Sequence, residues 1–314
     1  MVPPARIDAV LPLTARDFER ARILLWSLQR FFVDLGTLWV VVPDRDVAAA
    51  RDVFSWEHVR VRSESEVLPG LGFYRRLFRA TVVYRRRPDG WYVQQIVKLA
   101  APAYVDTDFY LTLDADVVCV RTIRASDLVV DGRAICMRGN PNRNEEWYLW
   151  SQRVLGLPRS RTSHGATPLL YSKEAMTRMH RFLESRAHGL WRRLGKWLAN
   201  LDAQHPLTTW DGYLLRNLPW AEHALYHTFL EAHDLYDRYH WDARTRPLHA
   251  EDSVWFAAEF ERWNPSTLVA PDGPFFAIVQ SWLGIPPAQV WARLAPHLDA
   301  TLEWPPRKAA ISSR

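Results

Sequence analysis

The chain is 314 residues long, 48% hydrophobic and 24% charged, with a formal net charge of +5; it reads as globular, with apolar material for one large domain or two closely joined lobes. No apolar run is long enough to cross a bilayer, and Met1-Val-Pro-Pro-Ala-Arg6 lacks the pattern of a secretory signal, so a cytoplasmic protein is expected. The positive excess favours acidic partners such as nucleotide diphosphates or anionic lipid surfaces; no helix-turn-helix, finger, KH or RRM signature is present, and nucleic acid is not expected.

Strand and helix patterns alternate through the first hundred residues, as in a mostly parallel sheet covered on both faces. Ile7 to Thr14 predicts a strand, and Asp17 to Asp34 an amphipathic helix with Phe18, Ala21, Leu24, Leu25, Leu28 and Phe32 on one side, ended by Gly36. Leu38 to Val42 predicts a second strand, Val47 to Phe54 a helix, Val59 to Arg62 a short strand, and Leu68 to Phe73 a loop. A helix over Trp91 to Val105 leads into the strand Phe109-Tyr-Leu-Thr-Leu-Asp114-Ala-Asp116-Val-Val-Cys-Val120. Beyond about residue 140 the chain turns helical, aromatic and basic, with a strand expected at Thr167 to Tyr171. The resulting division, within one continuous domain, is a nucleotide-binding half (1–140), a half that binds the second substrate (141–304) and a flexible tail (305–314). Cys119 and Cys136 fit neither a metal-ligand nor a redox spacing and are expected to be reduced core residues. The 16 tryptophans suit sugar rings by stacking, although most are expected in the core.

Asp114 and Asp116 carry the most chemistry. Residues two apart on a strand project to one face, so both carboxylates can share one hard cation, and in an α/β crevice such a cation commonly holds a diphosphate. Asp44-Arg-Asp46 and Asp106-Thr-Asp108 have the same form, but only Asp114 and Asp116 are framed by apolar runs on both sides, where unpaired charge is costly. An acidic turn capping a strand is the competing reading. Thr14 and Asp44, at the ends of the first two strands, sit where open α/β sheets contact nucleotides.

Gly90-Trp91, Gln94-Gln95 and Lys98-Leu99, followed by Leu113-Asp114-Ala115-Asp116, resemble the G-W-x-x-Q-Q-x-x-K-L helix and L-D-A-D strand of a bacterial family of sugar transferases known only as a domain of unknown function. More broadly, the chain resembles glycosyltransferases of the GT-A type. The resemblance implies an α/β, GT-A (Rossmann-like) fold with a mostly parallel central sheet flanked by helices and a more helical acceptor-binding half. It implies transfer of a sugar from a UDP- or GDP-sugar to a cell-envelope glycan, a lipid-linked acceptor or a similar molecule, with Mn²⁺ or Mg²⁺ held by Asp114 and Asp116. Lys98 would add positive charge at the donor, and Gln95 would orient it; each is otherwise an ordinary helix-surface residue. Glu222, in a segment similar to the family's E-[YH]-x-L-Y element with Tyr226, would be the base of an inverting reaction, and Asp211 is a weaker rival. The alternative for Glu222 is a glutamate favoured by a helix N-terminus. His249 could complete the metal shell, and His164, Asp211 and Tyr226 could touch the acceptor.

Residues 181–201 place Phe182, Leu190, Trp191, Leu194, Trp197 and Leu198 near one helical stripe with Arg186, Arg192, Arg193 and Lys196 around it. Such a helix either lies on an anionic membrane surface or packs its stripe inward. Two further functions compete with glycosyl transfer. One is an inactive binding or scaffolding protein of the same fold. The other is a sugar-nucleotide pyrophosphorylase, which is disfavoured because Leu11-Pro-Leu-Thr-Ala-Arg16 contains no glycine.

Overall fold

A computed structural model describes residues 6–80, 90–139, 145–158, 163–164, 167–186, 208–242, 248–249, 253–301 and 303–305. Its strands, in chain order, are β1 (Ile7–Pro12), β2 (Leu35–Val42), β3 (Val59–Ser63), β4 (Phe109–Thr112), β5 (Val117–Cys119), β6 (Val129–Val130), β7 (Arg133–Cys136), β8 (Arg138–Gly139), β9 (Ser163–His164), β10 (Leu169–Ser172), β11 (His240–Asp242) and β12 (Phe276–Ile278). The central sheet has the order β10-β4-β1-β2-β3. β1 pairs in parallel with both β2 and β4, β2 pairs in parallel with β3, and only β10 is antiparallel. The fold is therefore α/β with a mixed, mostly parallel sheet flanked by helices, as the alternation of patterns predicts.

Strand β1 is buried along its whole length and so reads as a continuous apolar run. Its one acid, Asp8, is buried, and its two oxygens accept the N–H groups of Thr37 (2.8 Å) and Asp106 (2.8 Å), tying β1 to the starts of its neighbours. This arrangement explains Gly36, which lies inside β2 and does not end the preceding helix: a Cβ there would come 2.3 Å from Asp8 Oδ1.

The helix Phe18–Phe31 buries two stripes. Phe18, Ala21, Leu24 and Leu28 face the main core, while Ile23 and Trp26 join a second cluster with Val118, Val120, Ala277 and Trp291. Helix Gly90–Ala100 stops earlier than its apolar pattern suggests, because Pro102 tightens the next turn into a 3₁₀ helix, Ala101–Ala103. The expected loop at Leu68 to Phe73 is already helical from Leu71.

The main core runs from Ile7 to Ile278 and includes residues on both sides of position 140, so that position is not a break in packing. Cys119 and Cys136 are free and buried. Among the described residues, no helix is long and apolar enough to cross a membrane.

Candidate active site

Because β1, β2 and β4 run in parallel, Thr14, Asp44 and Asp114 all leave the sheet at its carboxyl edge. There the structure departs from the expected strand. Strand β4 ends at Thr112, and Asp114 to Asp116 form a tight turn closed by Val117 N–H donating to Asp114 O (3.2 Å), after which β5 leaves to pair with β12. The two acids therefore do not share a face by strand alternation, and their surroundings differ.

Asp114 keeps 37% of its side chain exposed and places Oδ1 2.7 Å from Lys98 Nζ. Asp116 is buried; its Oδ2 accepts the Ser281 N–H (2.9 Å) and its backbone oxygen accepts the Val279 N–H (3.0 Å). Burial, then the nearby charge of Asp114, push the Asp116 carboxyl up to about 6, outweighing the opposing pull of Ser281 and Arg20.

Lys98 is buried between two acids. Its Nζ lies 3.5 Å from Glu222 Oε1 and donates to Thr167 Oγ1 (3.0 Å) in addition to its pair with Asp114. Burial alone would lower its pKa, but Asp114 and Glu222 together raise it, so the ammonium stays charged. Glu222 shows the reciprocal balance: burial pushes it up, while Lys98 and His223 pull it further down, to about 2. Gln95 lies one turn before Lys98 on the same helix face, and its Oε1 accepts the Glu222 N–H (2.8 Å), one of the backbone donors a helix start leaves open. Gln95 Nε2, a donor, and the His223 ring nitrogen Nε2 are buried with no hydrogen-bond partner among the described residues.

The sequence reading missed Arg20. It is buried on the helix Phe18–Phe31, and its guanidinium donates to Val279 O (3.3 Å) and Ile285 O, fixing the segment that supplies the Ser281 N–H to Asp116. Arg20, Ile23 and Ser27 are spaced i, i+3, i+7, a second buried stripe that a one-faced reading of the helix passes over.

The other expected site residues have partners of their own. Thr14 Oγ1 donates to Asp17 Oδ2 (2.9 Å), and the exposed Asp44 accepts a hydrogen bond from Ser65 Oγ. Tyr226, expected at the acceptor, is fully buried; its hydroxyl accepts the Ser172 N–H (3.0 Å) and pairs with His240 Nε2 (2.9 Å), which makes it a core residue. Asp211 lies in the first turn of helix Trp210–Arg216, its pKa raised by burial, with Thr209, Gly212 and Arg216 as partners. His249 bridges to Phe276, which pairs with Cys119, at the far end of β5 from Asp116. Among the described residues, no three His, Cys, Asp or Glu side chains are grouped to hold a metal ion, so His249 does not complete a shell with the two aspartates. Only the backbone of His164 is described, paired with Arg138. Of the basic stripe, helix Lys173–Arg186 is described, with Phe182 5.5 Å from Phe229, and residues 187–201 lie outside the described residues.

The molecule is thus an α/β protein that gathers three acids and a buried lysine at the carboxyl edge of its sheet. The chain belongs to DUF6492, a family of unknown function, which it matches over residues 4–302. No curated protein matches it. Among solved structures it is similar to mouse xyloside xylosyltransferase 1, with 13% identity, 90% of this chain and 100% of that one covered, and a TM-score of 0.48. It is also similar to the galactosyltransferase LgtC in complex with donor and acceptor sugar analogs, with 13% identity, 94% and 97% covered, and a TM-score of 0.42. The glycosyltransferase GlyE of Streptococcus pneumoniae TIGR4 shares 10% identity, over 88% of this chain and 55% of that one, at a TM-score of 0.41.

Proposed function

We propose that this protein is a metal-dependent glycosyltransferase that takes a sugar from a nucleotide-diphosphate donor. The observation that carries this reading is the state of Asp116: a buried carboxylate, next to a second carboxylate and short of compensating charge, at the edge where an α/β sheet receives a nucleotide. An added cation relieves that deficit. Oxygen donors suit Mn²⁺ or Mg²⁺, and Asp114 and Asp116 would hold the ion. When bound, it would supply Lewis-acid stabilisation of the negative charge that develops on the departing diphosphate.

The remaining roles belong to the chain itself. Lys98, kept charged by its two acids, gives the diphosphate edge a second positive centre. Glu222, held at about 2 by Lys98, is a weak proton acceptor in the free protein. It serves as a base toward an acceptor hydroxyl only when Lys98 turns toward the donor, and an inverting outcome depends on that exchange. Until then it fixes Lys98 against Asp114. Gln95 Nε2, a buried donor without a partner beside Glu222, would orient a donor hydroxyl.

Titration calorimetry with UDP and GDP, in Mn²⁺ and in EDTA, tests the reading. One nucleotide is expected to bind only with the metal, and Asp116→Ala to abolish that binding. Equal affinity in EDTA, or an unaffected Asp116→Ala variant, overturns it. Metal-dependent binding without hydrolysis or transfer from any donor sugar would favour the scaffolding reading.

A further inference from the structure

The segment 279–285 is held at several points. Arg20 donates to the carbonyls of Val279 and Ile285, Ser281 N–H is bound by Asp116 Oδ2, and Val279 N–H by Asp116 O. Within it, Ser281–Leu283 form a 3₁₀ turn closed by Gly284, whose φ of 68° takes the left-handed conformation that favours glycine. Leu283 and Ile285 pack against the second core cluster. Trp282, just before them in the turn, faces water with 69% of its surface exposed, more than any other large hydrophobic residue among those described.

A second aromatic stands on the neighbouring chain. Val254 forms a parallel bridge with Val279, and Gln280 N–H donates to Val254 O (3.1 Å), so the segment leading to Phe256, 63% exposed, runs alongside the one that carries Trp282. Trp282 follows directly on the residue whose amide holds Asp116, with about 3.8 Å between consecutive Cα atoms. The backbone that displays this indole is already ordered, so binding there would not have to order it.

We infer that Trp282 is a stacking platform for a pyranose ring of the acceptor saccharide, set beside the carboxylate pair. This rests on the glycosyl-transfer reading and adds the place where the acceptor is held. The apolar C–H face of a pyranose matches the indole face, while its hydroxyl rim remains free to hydrogen-bond toward the acidic edge. A single indole on a short, anchored turn fits one ring; a membrane surface is engaged by a helix-long apolar face.

The test uses the full chain, as wild type, W282A and W282F, with the methyl glycosides of glucose, galactose, mannose and xylose as probes in saturation-transfer NMR. At least one glycoside is expected to bind the wild type, with binding weakened about tenfold in W282A and within about threefold of wild type in W282F. Circular dichroism and the W282F result guard against a folding defect. Undiminished binding by W282A, or no glycoside bound by the wild type, overturns the inference. So does a W282A-sensitive association with phosphatidylglycerol–phosphatidylethanolamine vesicles, or a W282A-sensitive dimer in sedimentation, since either would give the indole another occupant. The UDP and GDP titration of the wild type separates the two readings. If a nucleotide binds with Mn²⁺ but W282A keeps its glycoside, only the platform fails; if neither nucleotide binds, the transferase reading fails.

Discussion

Two clusters of buried polar side chains lie in this protein, and they settle the cost of burial in opposite ways. Around Lys98 the groups remain ionised: an ammonium between two carboxylates, with Asp116 beside them. Around His240 they are neutral. His240 pairs with the Tyr226 hydroxyl, Cys136 Sγ lies 3.9 Å from His227 Nε2, and Tyr236 stands 5.6 Å from the His240 ring with the Arg138 guanidinium over its outer face at 3.9 Å. Burial lowers His240 to about 3 and pushes the Cys136 thiol up to about 12, so neither carries charge at neutral pH. A neutral cluster avoids the cost of burying charge and belongs to packing. Buried ions contribute weakly to stability and are retained where charge has a use.

Removing the cation from the charged cluster should have the largest effect. Lys98→Met leaves Asp114 and Glu222 without their shared partner and is expected to cost about 3–5 kcal/mol in urea unfolding. A loss below about 1 kcal/mol would mean that water already compensates those acids and that the contrast with the neutral cluster is false.

Acid should act mainly on the neutral cluster. The unfolded chain protonates His240 near 6.5, whereas the folded chain does so only near 3. Its contribution is therefore complete above 6.5 and is lost as pH falls from 6.5 toward 3, at up to about 1.4 kcal/mol per pH unit. His180, also lowered to about 3 by burial, adds to the same slope. His240→Gln should flatten the decline in stability between pH 7 and 5.5, and an unchanged slope would show that His240 is protonated in the folded state.

The smallest effect sharpens the comparison within the charged cluster. With its carboxyl pushed up to about 6, Asp116 is ionised at pH 8 at the expense of the fold. Asp116→Asn keeps an acceptor for the Ser281 amide and is expected to stabilise the protein by about 1 kcal/mol at pH 8, the advantage shrinking as pH falls below 6. Thermal or urea unfolding at the two pH values checks this. A destabilised variant at pH 8 would mean that Arg20 and Ser281 already compensate the charge, and with it would go the case for a cation.

Much of the first half was legible because its signal is local. Apolar runs and helical stripes placed β1 to β4 within a few residues, and the helix carrying Gln95 and Lys98 was set by its own period. Local signals could not show that Asp114 and Asp116 sit in a turn, since the strand's apolar run continues straight through it into a different sheet. Nor could they show that Glu222 is spent on Lys98, a contact 124 residues apart in sequence. Arg20 and Trp282 were missed for the same reason: their importance comes from what a distant segment brings to them. Nor does local sequence tell which way Tyr226 faces, since its helix, Glu222–Ala232, is buried on every side through Leu230.

The clamp on segment 279–285 also bears on synthesis. Arg20 reaches a carbonyl 259 residues later, and Asp116 takes an amide 165 residues later. A nascent chain can pair β1 with β2 and β4 early, but it lacks the amide that holds Asp116 until Ser281 has emerged, and the full clamp until Ile285 has. Any activity of the acidic edge is thereby delayed until that residue has been made, and a polypeptide that stops short of it carries the sheet without the clamp on Asp116.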